Sequence, residues 1–201
     1  MKLKALKTKT PNFRKIQAIK PAPEWQMTKY FNFYINDVRP KVQQIMIMNA
    51  SHVHGMEHMD SVVFRGIDYA LHMAKDPIPV IFACACHDIA RTNDFEDMEH
   101  GVNAVPLTIK ILKQFPNLFD ARVCSGIYYA IAEHTNDKPV VAPDYISACL
   151  WDSDRTRMSW KYGFKPEFFN TERGKYVAQH WKQYIDYQKS LFPHIKWSKE
   201  Y

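Results

Sequence analysis

The chain of 201 residues is poor in glycine, with six in all, and it contains no Asn-Gly or Asp-Gly pair. Those pairs mark the tight turns of two-residue β-hairpins, so nothing in the sequence announces an antiparallel sheet. It also lacks a Cys-x-x-Cys motif, which removes the usual redox and zinc-thiolate frameworks. Its four cysteines are Cys84, Cys86, Cys124 and Cys149, and the first two lie in the apolar run "VIFACACHDIA". There they read as small buried hydrophobes rather than as halves of disulfides, which points to a reducing, cytoplasmic setting. No apolar run approaches the ~20 residues that a membrane span requires. The first twenty residues, "MKLKALKTKTPNFRKIQAIK", contain no acid and lack the continuous apolar core of a secretory signal.

Those twenty residues carry seven of the 27 Lys and Arg and none of the 21 Asp and Glu, so the net charge of +6 belongs to this arm and not to the body. A basic arm can meet nucleic acid or an anionic surface. The ordinary reading is a solvated extension, and the sequence favours it. Residues 1–22 are read as this extension and residues 23–201 as one domain, a length that suits a single core. At 46% hydrophobic and 14% aromatic, the chain can bury one.

Helical periodicity dominates. "RPKVQQIMIMNA" reads as a helix opening at Pro40. "MEHMDSVVFRGIDYALHMAK" aligns Met59, Val62, Val63, Ile67, Ala70, Leu71 and Ala74 and stops at "DPIP". "IPVIFACACHDIA" is too apolar for its period to decide, and its helical neighbours favour a buried helix. "DFEDMEHGVNAVPLTIKILKQF" reads as a helix with acids at its start and Pro106 inside. "NLFDARVCSGIYYAIAEH" is the next. "DYISACLWDSDRTRM" follows with Asp144 as N-cap, and "TERGKYVAQHWKQYIDYQKSLF" is one terminal amphipathic helix capped by Thr171. The fold class expected is all-α, a single helical bundle with short connections.

Three histidines, His52, His54 and His58, fall within seven residues, and His54 and His58 share a face if the helix already runs there. His87 and Asp88 close the most apolar segment of the chain. His100 opens one helix and His134 closes another. Asp152 and Asp154 sit in "ACLWDSD", where an unpaired carboxylate is costly. A set of imidazoles and carboxylates at the edge of a dry core suits a cation, and without thiolates it favours Mn, Fe, Zn, Ni or Co. His72, His180 and His194 read as capped or solvated side chains. Asp94, Glu96, Asp97 and Glu99 read as a solvated helix start.

Taken in order, "HGMEHMDSV", "ACHDIARTND", "EHGVNAVPLTIKIL", "AIAEH" and "CLWDSDRTRM" resemble the HD superfamily of metal-dependent phosphohydrolases. The resemblance spans about residues 40–160 and implies an HD-domain-like helical bundle. It implies that His58, His87, Asp88 and Asp154 hold one metal, and that Asp88, His100 and His134 hold a second, as in members where the aspartate bridges. His54 lies at the offset of the histidine that protonates the leaving oxygen in cyclic nucleotide phosphodiesterases, and it becomes a candidate general acid. His52 has no counterpart.

The chain departs from the family pattern at Ser61, Thr156 and Arg157, all on a rim that often contacts phosphate. The function implied is hydrolysis of a nucleotide or other small phosphate ester, a phosphomonoesterase or phosphodiesterase, through a water activated by one or two divalent transition metals. A metal lowers the pKa of water far below its bulk value of ~15.7. Asp88 would orient that water, Arg91 and Arg155 would meet the phosphate, and Lys110 reads as surface charge. Two other classes use the same ligand order or fold: the diiron oxygenases of the superfamily, such as the inositol oxygenases, and an inactive metal- or nucleotide-binding module.

Overall fold

A computed structural model of the chain describes residues 20–136 and 138–198. Most of the basic extension lies outside these residues. Nine α-helices are described, with no strand among the described residues: α1 Glu24–Phe33, α2 Arg39–Ile45, α3 Met56–His72, α4 Pro77–Cys86, α5 His100–Leu112, α6 Ala121–Ala132, α7 Tyr145–Tyr162, α8 Glu172–Gln179 and α9 Trp181–Leu191. A π-helical stretch, Tyr34–Val38, joins α1 to α2, and Pro166–Phe168 is a short 3₁₀ turn. The all-α expectation holds. No described helix is long and apolar enough to cross a membrane.

The middle of the molecule is α3. Every residue from His58 to Ala70 is buried, polar ones included. Buried polar groups need partners, and here each partner comes from a different part of the chain. Asp60 takes a bidentate pair from Arg39, Nε to Oδ1 at 2.8 Å and the second nitrogen to Oδ2 at 3.0 Å, and a hydroxyl from Tyr34 at 2.7 Å. Arg65 donates to the Ser153 carbonyl of α7 at 2.9 Å. Asp68 accepts from Arg173 of α8 at 2.8 Å and from the backbone of Ala22 at 3.2 Å. The polar face of α3 is therefore the tether for the N-terminal segment, α7 and α8.

Around it, α3 packs most closely on α4 and α7, while α5 and α6 pair with each other and α6 leans on α7. Phe31, Phe64, Phe192 and Trp197 lock α1, α3 and the C-terminal segment together, with ring centroids 4.6–5.5 Å apart for the pairs that include Phe31. Such contacts are worth about 0.5–1.5 kcal/mol each beyond area.

Helix starts follow the sequence signals. Asp144 accepts from the Ser147 amide and Thr171 from the Gly174 amide, as expected, and Asp76 and Asp120 cap α4 and α6 in the same way. Three expectations are corrected. The terminal amphipathic segment is two helices, broken at His180, whose φ of −121° and ψ of 33° are not helical. Its ring stacks on Tyr176 at 4.2 Å and bonds the Tyr176 carbonyl, which the His180 amide also reaches. The helix opening near Pro40 is the end of a longer helical run that begins at Glu24. And α5 begins only at His100, so residues 94–99 form a loop, not a solvated helix start.

Candidate metal centre

The six candidate ligands are placed by helix ends and by one helix middle. His58 lies in the first turn of α3. His87 and Asp88 follow directly on α4, His100 is the first residue of α5, His134 comes two residues after α6, and Asp154 lies midway along α7. The five residues other than Asp154 are buried, and Asp154 is part-buried. The structure brings all six together.

Asp88 stands at the centre. Its Oδ2 faces His87 Nε2 at 3.3 Å and His58 Nε2 at 3.8 Å. Its Oδ1 faces His100 Nε2 at 2.9 Å and His134 Nε2 at 3.5 Å. Asp154 Oδ1 approaches His58 Nε2 at 3.2 Å and His87 Nε2 at 3.7 Å. One carboxylate oxygen thus serves each side of the cluster. Two groups of donor atoms, His58 with His87 and Asp154, and His87 with Asp88 and His134, each lie within 4.8 Å of one another and could hold a metal ion.

Three of the imidazoles are aimed by the stretch of backbone just before them. His87 Nδ1 bonds the Cys84 carbonyl at 2.8 Å, His134 Nδ1 bonds the Ile131 carbonyl at 2.6 Å, and His100 Nδ1 bonds the Asp97 carbonyl. In all three the acceptor is three residues earlier. A carbonyl can only accept, so each Nδ1 carries a proton and each ring turns its Nε2 into the cluster. Gly101 permits the meeting of α5 and α6: a Cβ there would fall 2.7 Å from the Ile131 carbonyl and 3.1 Å from His134 Nδ1.

Several of these atoms are left without a hydrogen-bond partner. Both ring nitrogens of His58 and the Nε2 of His87 are buried without a hydrogen-bond partner among the described residues. Burial outweighs the pull of Asp154 and carries His58 down to about 4; it likewise outweighs Asp88 and lowers His134. Burial works against charge on His87 too, but Asp88 and Asp154 outweigh it and raise that imidazole to about 10. Burial would raise both carboxyls; the surrounding imidazoles instead hold Asp88 and Asp154 well below the usual range. Two carboxylates therefore face the His87 ring, with Arg91 Nε 3.6 Å from Asp88 on the outer side. Converging imidazole and carboxylate donors of this kind fit a divalent transition metal, and such a metal would displace the His87 proton.

The other expected residues lie around this cluster. The His54 ring stands 5.8 Å from that of His58, nearly perpendicular to it. Arg91 Nε lies 3.6 Å from Asp88 Oδ1, and its terminal nitrogen donates to the carbonyls of Asn93 and Phe95. Arg155 donates to the Phe168 carbonyl at 3.2 Å and the Asn136 carbonyl at 2.8 Å, and lies over the rings of Trp151 and Phe168. Those are the contacts of a brace between loops. Lys110 and His52 are exposed. Asp152 faces away from the cluster and anchors α8 by accepting from the Asn170 and Thr171 amides at 2.8 and 2.7 Å and from the Thr171 hydroxyl at 2.8 Å. Ser51, which no sequence pattern singled out, and Asp94, read there as a solvated helix-start acid, bond to each other at 2.6 Å beside His54. They are 43 positions apart, and no periodicity links them.

Comparison with family models and with curated proteins returned no match. Among solved structures, the chain resembles a predicted HD superfamily hydrolase from an uncultured Thermotogales bacterium. The TM-score is 0.57 at 17% identity, over 80% of this chain and 92% of that one. The likeness is one of fold: the helical arrangement is that of an HD-like domain.

Proposed function

We propose that this protein is a metal-dependent phosphohydrolase acting on a nucleotide or another small phosphate ester. The observation that carries this reading is the division of Asp88, whose two oxygens face two different sets of imidazoles. His58, His87, Asp88 and Asp154 would hold one ion, and Asp88, His100 and His134 would hold a second. When bound, the metal would supply a water of lowered pKa and neutralise charge on the phosphate oxygens.

The chain's own groups do the rest. Asp88, buried and ionised, holds the centre and can accept a hydrogen bond from the attacking water. Arg91, whose Nε lies 3.6 Å from Asp88, is the candidate for binding a phosphate oxygen. His54, beside His58 and partly open to solvent, is the candidate donor of a proton to the leaving oxygen. Arg155 supports the rim through Asn136 and Phe168.

The test is metal content per chain, read by elemental mass spectrometry on protein purified without chelator or metal-affinity resin, alongside phosphate release from a panel of nucleotides and aryl phosphates. Near two equivalents with phosphate release supports the reading. Iron with O₂ consumption and no phosphate release would replace it with a diiron oxygenase. No metal, even after reconstitution, would reduce the fold to a binding module.

A further inference from the structure

A second hydrogen-bonded unit adjoins the metal cluster and belongs to none of its ligands. His54 Nδ1 lies 3.0 Å from Asp94 Oδ1. A carboxylate only accepts, so His54 donates from Nδ1 and presents Nε2 on the opposite edge of the ring. The same Asp94 oxygen accepts the Ser51 hydroxyl at 2.6 Å. Ser51 Oγ in turn accepts the amides of Val53 and His54, both at 3.0 Å. One hydroxyl thus ties the backbone of His54 to the carboxylate that holds its ring.

Both supporting loops are fixed from outside. Arg91 donates to the carbonyls of Asn93 and Phe95, the residues on either side of Asp94. Arg157 of α7 donates to the carbonyl of Val53, the residue before His54. Gly55 closes the turn against Ser51: a Cβ there would fall 2.2 Å from the Ser51 carbonyl, so only glycine allows it. This bracing on two sides is more than a solvated loop needs, and it converges on one side chain.

We infer that Asp94, held by Ser51, is the positioning residue for His54, fixing the tautomer and direction in which that histidine delivers a proton. The inference rests on the hydrolase reading given above and deepens it. In the step concerned, the bond from phosphorus to the ester oxygen breaks and its electron pair stays on that oxygen, which takes the proton from His54 Nε2. The oxygen of water forms the new bond to phosphorus and releases a proton to solvent, from which His54 is restored. Asp94 keeps its bond to Nδ1 throughout and stabilises the protonated ring before transfer. It touches no reacting atom.

The experiment compares the metal-reconstituted full chain with Asp94→Asn, Ser51→Ala, His54→Ala and the double variant His54→Ala with Asp94→Asn. The probes are phenyl phosphate and p-nitrophenyl phosphate, close in shape but different in leaving ability. Asp94→Asn is expected to lower kcat on phenyl phosphate by roughly 10–100-fold, near the scale of general acid catalysis. The same variant should slow the nitrophenyl ester far less, with KM and metal content unchanged on both. Ser51→Ala should move in the same direction by less. The double variant should be no slower than His54→Ala alone, since the two residues act as one unit.

A readout free of activity accompanies this: ring-nitrogen NMR of the ¹⁵N-histidine-labelled chain, with His54 assigned from His54→Ala. A protonated Nδ1 that loses its fixed tautomer in Asp94→Asn supports the proposal. Equal slowing of both esters, additive effects in the double variant, or His54 signals indifferent to Asp94→Asn would each overturn it. A metal-loaded wild type that releases phosphate from neither aryl ester nor any nucleotide of the panel would fell the hydrolase reading and the catalytic role of His54 with it, a result distinguishable because it appears before any variant is made.

Discussion

His100 and His134 bring their Nε2 atoms to 2.9 Å of each other across the junction of α5 and α6. Each ring already donates from Nδ1 to a carbonyl, so in their neutral forms two lone pairs confront one another. A proton or a metal between them relieves that repulsion. His100→Ala should therefore remove about one of two metal equivalents, with the His58, His87 and Asp154 side still loaded. Elemental analysis of the purified variant checks this. Gly101→Ala should act at the same place for a different reason, forcing α5 off α6; overpacking of this kind costs about 1–3 kcal/mol. It should lower both the melting temperature and the second metal equivalent.

Arg155 braces two loops through the carbonyls of Asn136 and Phe168. Arg155→Ala leaves those acceptors without their donor and should cost roughly 1–3 kcal/mol in urea unfolding. Turnover per folded, metal-loaded molecule should stay within about twofold of wild type, since a lost brace is not a lost transition-state contact. A large rise in KM with unchanged stability would instead place Arg155 on the substrate. Lysine should not rescue stability, because it cannot span two carbonyls with a planar fork.

The carboxylate of Asp152 is buried under the start of α8, where three donors come within 2.8 Å of it. Asp152→Ala orphans the Asn170 and Thr171 amides and should destabilise the fold by roughly 2–4 kcal/mol. The denaturant midpoint should fall while metal content at low denaturant is retained.

His72 has an acceptor at each ring nitrogen, the Asp68 carbonyl at 2.7 Å and the Lys20 carbonyl at 2.6 Å, with Asp68 Oδ1 at 3.1 Å. Burial opposes its charge, but Asp68 outweighs burial and the pKa is raised. Burial would raise Asp68, and Arg173 and His72 instead lower it. A raised histidine contributes stability fully below its unfolded value and loses it as pH rises through the folded one. A lowered aspartate contributes above its unfolded value and loses it as pH falls through the folded one. The pair is thus most stabilising between the ordinary values of 3.8 and 6.5. The difference in melting temperature between wild type and His72→Ala should be largest near pH 5–6 and shrink toward pH 8, on a scale set by those reference values. A difference that grows with pH would contradict this account.

The sequence made the helices legible wherever a cap or a proline marked an end, as at Asp144 and Thr171, and wherever apolar spacing was strong, as in α3. The six candidate ligands were picked out by their order along the chain, in motifs that resemble the HD superfamily, since each one alone has an ordinary explanation. What stayed hidden depends on contacts distant in the chain. Asp94 reads as a helix-start acid until Ser51 and His54 are placed beside it. The break at His180 shows in its backbone angles, which no periodicity records. The start of α1 has no polar cap at all, only Pro23, so its first turn carried no side-chain signal.

Three of the imidazoles take their aim from the carbonyl three residues back, on their own turn of backbone, and not from a partner across the fold. Each ring is then stiff in rotation, while the gaps between rings are set by how closely the helix ends approach. The centre behaves like a caliper, with fixed jaws and an adjustable opening. Its choice among ions of different radius should follow from small shifts in helix packing, of the sort that a single methyl at Gly101 would introduce, with every ligand left in place.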